Sequence, residues 1–172
     1  MTLHAITVLG HDRPGIIAET TDRLAGLGLN LEDSTMTLLR GHFAMMLVCS
    51  GTPSDAEIET ALAPLVADGT LGVTVRGVPD EDAVSSTGAP WVLTVHGGDR
   101  PGIVSAVVTE VAAVGGNITD LTTRLAGDLY LLIAEIDLPT DVDVAAVESA
   151  IGAVAARLGV GASLRPADPD EL

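Results

Sequence analysis

Eleven residues, Thr-Val-Leu-Gly-His-Asp-Arg-Pro-Gly-Ile-Ile at 7 to 17, return 87 positions later as Thr-Val-His-Gly-Gly-Asp-Arg-Pro-Gly-Ile-Val at 94 to 104. Each copy carries an acid, a guanidinium, a proline and a glycine in one short run: Asp12, Arg13, Pro14, Gly15, Ile16, and Asp99, Arg100, Pro101, Gly102, Ile103. Where such a run leads into a helix, the first-turn N–H groups lack helical partners and attract an anion, and a glycine lets a ligand approach the backbone. A carboxylate fits such a place without any lysine. Asp12 and Asp99 stand just before it and can hold an ammonium group. Asn30 and Asn117, which offer both a donor and an acceptor, follow Gly28 and Gly115. Carboxylate and ammonium together describe a free amino acid. The same residues also admit a plainer reading, in which the aspartates cap a helix, the asparagines make turns and the arginines are solvated or meet local acids. Recurrence of the whole set amid divergent surroundings favours the ligand.

No catalytic constellation accompanies it. The serines lack an elbow motif, and Cys49, the single cysteine, falls inside an apolar run where it reads as filler. His4, His11, His42 and His96 show no paired ligand spacing, so neither a metal nor a cofactor is expected. His11 adjoins Asp12 and is a candidate pH-sensitive neighbour of the site. Its counterpart is Gly98, so the two sites should not be equivalent.

Composition excludes further classes. Of 172 residues, 24 are Asp or Glu and 8 are Arg, with no Lys, for a net charge of −16. The arginines are scattered singly, which leaves no footprint for a phosphate backbone, and the 2% aromatic content leaves no stacking platform. Direct nucleic-acid binding is therefore not expected. The 47% apolar content suffices for a core and excludes whole-chain disorder. No apolar run reaches membrane-spanning length, and polar residues lie early in the chain where a signal peptide would be apolar, so a cytoplasmic protein is expected.

The repeat continues without a gap through Asp33/Asp120, Thr35/Thr122, Leu38/Leu125 and Phe43/Tyr130. Two like domains follow, at 1–78 and 91–166, with a Pro-, Ser- and acid-rich linker at 79–90 and an acidic tail at 167–172. In each copy a β-rich run opens the domain, and Pro14 or Pro101 stands where a helix can begin. Helical spacing of apolar residues then runs to Gly28 or Gly115. Two hairpins follow, turning at Arg40-Gly41 and Gly127-Asp128, with a bulge expected near Asp33 because the apolar parity changes there. Ser54 with Glu57, and Thr140 with Asp143, are expected to open the second helices, and Pro64 to kink or split its helix. A short last strand completes βαββαβ twice, an α+β fold of ferredoxin-like domains with antiparallel sheets and both helices on one face. The continuous apolar runs at Met45–Val48 and Leu129–Ile133 predict that the other sheet face is covered, by the sister domain, a second chain or both.

The order strand, Asp-Arg-Pro-Gly-Ile, helix, Gly-x-Asn, hairpin resembles the ACT domain, the ligand-sensing module of amino-acid metabolism, over nearly the whole chain. Two such domains alone resemble the glycine cleavage system transcriptional repressor family, whose members regulate without a catalytic domain. The resemblance implies a small free amino acid bound where ACT domains meet, touched by the loop before the first helix and by the start of the second strand. By position it implicates Asp12, Arg13, Gly15, Ile16 and Asn30, and in the second copy Asp99, Arg100, Gly102, Ile103 and Asn117. It further implies a non-catalytic regulator that signals to a protein partner, while the apolar sheet faces point to a homodimer. The alternative is the regulatory subunit of an amino-acid biosynthetic enzyme. Formyltetrahydrofolate deformylase opens with a similar module but needs a further catalytic domain.

Overall fold

The structure is a computed structural model that describes residues 2–79 and 88–167. The chain divides into two units, Met1–Ala83 and Val84–Leu172, each built as βαββαβ. Most of the span read as linker, 80–87, and the end of the acidic tail, 168–172, lie outside the described residues. Positions 88–90 are already strand.

The first unit runs β1 (Thr2–His11), α1 (Ile16–Gly26), β2 (Asn30–Leu39), β3 (His42–Gly51), α2 (Asp55–Val66) and β4 (Leu71–Val78). Its antiparallel sheet has the order β2-β3-β1-β4, so β2 and β4 are edges. Strand periodicity turns His4, Ile6 and Val8 of β1, and Phe43, Met45, Leu47 and Cys49 of β3, toward the helices. All but His4 meet Ile16 and Leu24 of α1, and Ile58, Leu62 and Leu65 of α2, in one core. Buried Thr20 satisfies its hydroxyl on the Ile16 carbonyl at 2.8 Å. His4 Nδ1 lies 2.7 Å from Asp55 Oδ1, joining β1 to the start of α2.

The second unit repeats this with β5 (Gly88–Gly98), α3 (Ile103–Ala113), β6 (Asn117–Ala126), β7 (Leu129–Pro139), α4 (Val144–Leu158) and β8 (Val160–Pro166), in the order β6-β7-β5-β8. Its core joins Leu93, Val95, Leu132, Ala134 and Ile136 to Ile103, Val107, Val111, Val147 and Ile151.

The repeated glycines act as the sequence predicts. Gly28 N–H donates to Ala25 O and Leu29 N–H to Leu24 O, and Gly115 and Gly116 do the same to Ala112 and Val111, the paired bonds of a Schellman ending. A bulge interrupts β2 between Leu31 and Asp33, and β6 between Ile118 and Asp120. Arg40 (φ 51) and Gly41 (φ 83) supply the two positive dihedrals of a type I′ turn, while in the second hairpin Gly127 (φ 61) is positive.

Three details differ from the sequence reading. Both prolines lie one residue before the N-cap, which is Gly15 or Gly102, rather than at the first helical position. The N-cap of α4 is Asp143, accepting from Ala145 N and Ala146 N at 3.1 and 3.2 Å, and Thr140 takes no part. Pro64 falls in the last turn of α2, so the helix ends two residues later instead of splitting, while the Ser54–Glu57 capping box forms as expected. The sheet face away from the helices keeps large apolar side chains exposed, with Leu9 at 61%, Met46 at 46%, Leu129 at 55% and Ile133 at 41%. The continuous apolar runs therefore mark a face that neither unit's own helices cover. Among the described residues no helix is long and apolar enough to cross a membrane.

Candidate ligand-binding site

The loop between β1 and α1 is held at both ends by backbone. His11 N–H donates to Thr70 O and Asp12 N–H to Gly41 O, each at 3.0 Å, so the loop is fastened to the start of β4 and to the β2–β3 turn. Gly15 then takes φ 90, ψ −3 as the N-cap of α1, and Gly102 takes φ 93, ψ 0 before α3. A residue with a β-carbon is strained in this left-handed region, which accounts for glycine at both positions. No side chain caps either helix. The aspartates therefore do not act as caps, and the first-turn N–H groups of both helices keep their donors for another acceptor.

Asp12, Arg13, Gly15 and Ile16 line one cleft of about 300 Å³, together with Ile17, Ala18, Met36 and Phe43. The loop contributes Asp12, Arg13 and Gly15 to the lining, and the β2–β3 hairpin contributes the apolar side chains of Met36 and Phe43. Phe43 is 2% exposed, whereas Met36 is 46% exposed on the edge strand. Sequence reasoning did not place these two at the site. Their signal was faint: Phe43 pairs with Tyr130 in the repeat, and Met36 belongs to the parity change after the bulge.

Charge in the cleft is partly committed. Arg13 Nη2 bonds Glu19 Oε2 at 3.0 Å, and Glu19 Oε1 accepts from Arg23 Nη2 at 2.9 Å. The two guanidiniums, Arg23 before Arg13, hold the Glu19 carboxyl below its ordinary range. The Asp68 carboxylate accepts from Thr70 Oγ1 and N at 2.7 and 2.9 Å; these bonds, with Arg13 nearby as a lesser cause, lower its pKa as well. Arg13 is thus paired with a local acid, whereas the N–H groups at the start of α1 have no side-chain cap.

In the second unit Asp99 and Gly102 are exposed and Ile103 is buried, as Asp12, Gly15 and Ile16 are in the first, but Arg100 is exposed where Arg13 is half-buried. Glu19 and Arg23 are replaced there by Ala106 and Glu110. The Arg100 guanidinium instead lies against Gly159, the C-cap of α4.

Asn30 and Asn117 are exposed and begin β2 and β6. Asn30 pairs with Ser50 at the far end of the sheet from the Gly41 turn to which the loop is tied. Six residues of strand separate it from Met36, about 20 Å. Within one unit the asparagine and the loop do not converge.

The sequence matches the ACT domain family over residues 3–76 and again over 90–164. It is 26% identical over 167 residues to the glycine cleavage system transcriptional repressor of Escherichia coli, across 92% of this chain and 87% of that protein. A 49-residue stretch is 49% identical to a UPF0237 protein of Streptococcus mutans, 28% of this chain but only 56% of that protein. Among solved structures, an unknown protein from Galdieria sulphuraria superposes with a TM-score of 0.81 at 28% identity, covering 97% of this chain and 99% of that one. A protein provisionally named a glycine cleavage system transcriptional repressor superposes with a TM-score of 0.67 at 20% identity, over 95% and 96% of the two chains, a likeness of fold.

Proposed function

The chain belongs to the ACT domain family, and on that footing we propose that it is a non-catalytic amino-acid sensor. It takes up a small free amino acid at the helix-start loop of an ACT domain and passes the signal to a protein partner. The observation that carries this reading is the cleft of about 300 Å³, whose lining combines an uncapped helix start and an aspartate with apolar Met36 and Phe43. The N–H groups receive the carboxylate, Asp12 the ammonium, and Met36 and Phe43 a small side chain.

The distance from Asn30 to the loop supports an interface site. β2 is an edge strand, and two such edges set antiparallel bring the start of one strand beside the end of the other. A ligand touching both an asparagine and a loop therefore needs a second ACT domain, and ligand stabilises that packing over others. Transcriptional regulation of amino-acid metabolism is the output that the relationship to the repressor supports. With a net charge of −16, it would run through a partner rather than through DNA contact.

A thermal-shift screen of the purified chain against the proteinogenic amino acids tests the reading, because a ligand that binds only the folded state raises Tm by mass action. A selective rise for one chemical family is the expected result. Absence of any shift at millimolar concentration overturns the sensor.

A further inference from the structure

We propose that His11 and His42 together form a binding site for a borderline divalent cation of the Zn²⁺ class. The two histidines are 31 positions apart in sequence, and no motif joins them. The fold makes them direct partners on the last rung of the β1–β3 ladder, so their β-carbons stand on the same face of the sheet. Their ring centroids are 5.1 Å apart, with the planes inclined by 30°.

That spacing matches a shared metal. A Zn–N bond of about 2.0–2.1 Å, extended by about 1.1 Å to the ring centre, places each centroid about 3.2 Å from the ion, and a tetrahedral angle then separates the centroids by about 5.2 Å. Both rings are exposed, and neither has a hydrogen bond or ion pair among the described residues, so their nitrogens are available. The ladder rather than a loop fixes the pair, which limits the ordering that binding requires. Imidazole selects zinc, nickel and copper over magnesium and calcium, and the protein's net charge of −16 raises the local concentration of any cation. Among the described residues no third His, Cys, Asp or Glu converges on the pair, so water fills the remaining positions. The counterparts in the second unit are Gly98 and Leu129, so the chain carries the site once. It lies on the face away from the helices, and the two residues flank the Asp12 N–Gly41 O bond that fastens the ligand loop.

The test is calorimetric titration of the tag-free full chain with Zn²⁺, alongside histidine NMR of the same sample. Saturation in the micromolar range is expected, with movement of the imidazole signals of His11 and His42 while those of His4 and His96 stay in place. His11→Ala and His42→Ala should each weaken binding about tenfold or more, equivalent to about 1.4 kcal/mol. His96→Ala and excess Mg²⁺ should change nothing. Should an alanine variant melt early, His42→Gln gives the same comparison. Half-saturation above millimolar, equal movement of all four histidines, displacement by Mg²⁺, or unchanged affinity in the His11 and His42 variants would each overturn the site.

Discussion

Replacing Gly15 with alanine separates a backbone role from a ligand role. At φ 90 an L-residue costs about 1–2 kcal/mol, partly offset by about 0.4–1 kcal/mol from a less flexible unfolded chain, for a net loss of about 1 kcal/mol. No clash adds to this, because a β-carbon at Gly15 meets no atom within 4 Å. The domain should therefore melt about 4–8 °C lower and remain folded. The methyl group occupies the open space that Gly15 lines, beside the donors of the first turn. Losing one hydrogen bond between a carboxylate and a backbone N–H is worth about 1.5–3 kcal/mol, a rise in Kd of about 10- to 150-fold. Gly69→Ala is the matched control, since Gly69 also has a positive φ (74), has open space around it, and lies outside the lining of the cleft. Both variants should lose similar stability by thermal melting, while calorimetry with the amino acid found in the screen should show weakened binding for Gly15→Ala alone. Equal affinity in the two variants would refute a role for the helix start in binding.

Asp12→Ala and Asp99→Ala should lose amino-acid affinity with melting temperatures within about 2 °C of the parent, because neither aspartate caps its helix; a large drop in melting with intact affinity would contradict this. Gly10→Ala should be far more damaging than Gly15→Ala, above about 3 kcal/mol by chemical denaturation, because its β-carbon would lie 2.1 Å from the Thr70 carbonyl oxygen that His11 N–H uses. Asp55 accepts from Gly77 N–H and lies beside His4, and these partners, Gly77 first, lower its pKa. A carboxyl depressed in the folded state stabilises above its unfolded pKa of about 3.9 and loses that contribution as pH falls through the folded value. Asp55→Asn should thus be less stable than the parent at pH 7, with the gap narrowing below about pH 4; a gap constant from pH 7 to 3 would refute the assignment.

Much of this architecture was legible because the chain states it twice. An element had to suit both Ile16/Thr20/Leu24 and Ile103/Val107/Val111, which fixed the helices, and the change of apolar parity after Leu31 located the bulge. Local rules failed where tertiary closure decides the backbone. Pro14 looks like a first helical residue, yet the loop is pinned at His11 and Asp12, and the chain enters α1 through a left-handed glycine. Asp143 captures the cap of α4 because the turn closed by Val142 N–H on Pro139 O delays the helix past Thr140. The apolar lining of the cleft was only faintly legible, and the facing histidines were not legible at all. Both arise from strand register between distant segments, and no spacing in the sequence encodes it.

Under the sensing reading, the same repeat that builds two sites also sets them apart. The loops share their backbone, with φ of 90 and 93 at the two N-caps, so both offer a carboxylate the same donors. The surrounding charge differs. In the first unit Glu19 holds Arg13 and Arg23, whereas the second has Ala106 and Glu110 at those positions and sets Arg100 against the end of α4. His11 and His42 become Gly98 and Leu129, and buried Phe43 becomes half-buried Tyr130. Backbone donors fix what the ligands have in common, and side chains fix what distinguishes them, so shared geometry with divergent charge predicts two affinities rather than one. A single binding isotherm with two equivalent sites would therefore count against a division of labour between the halves.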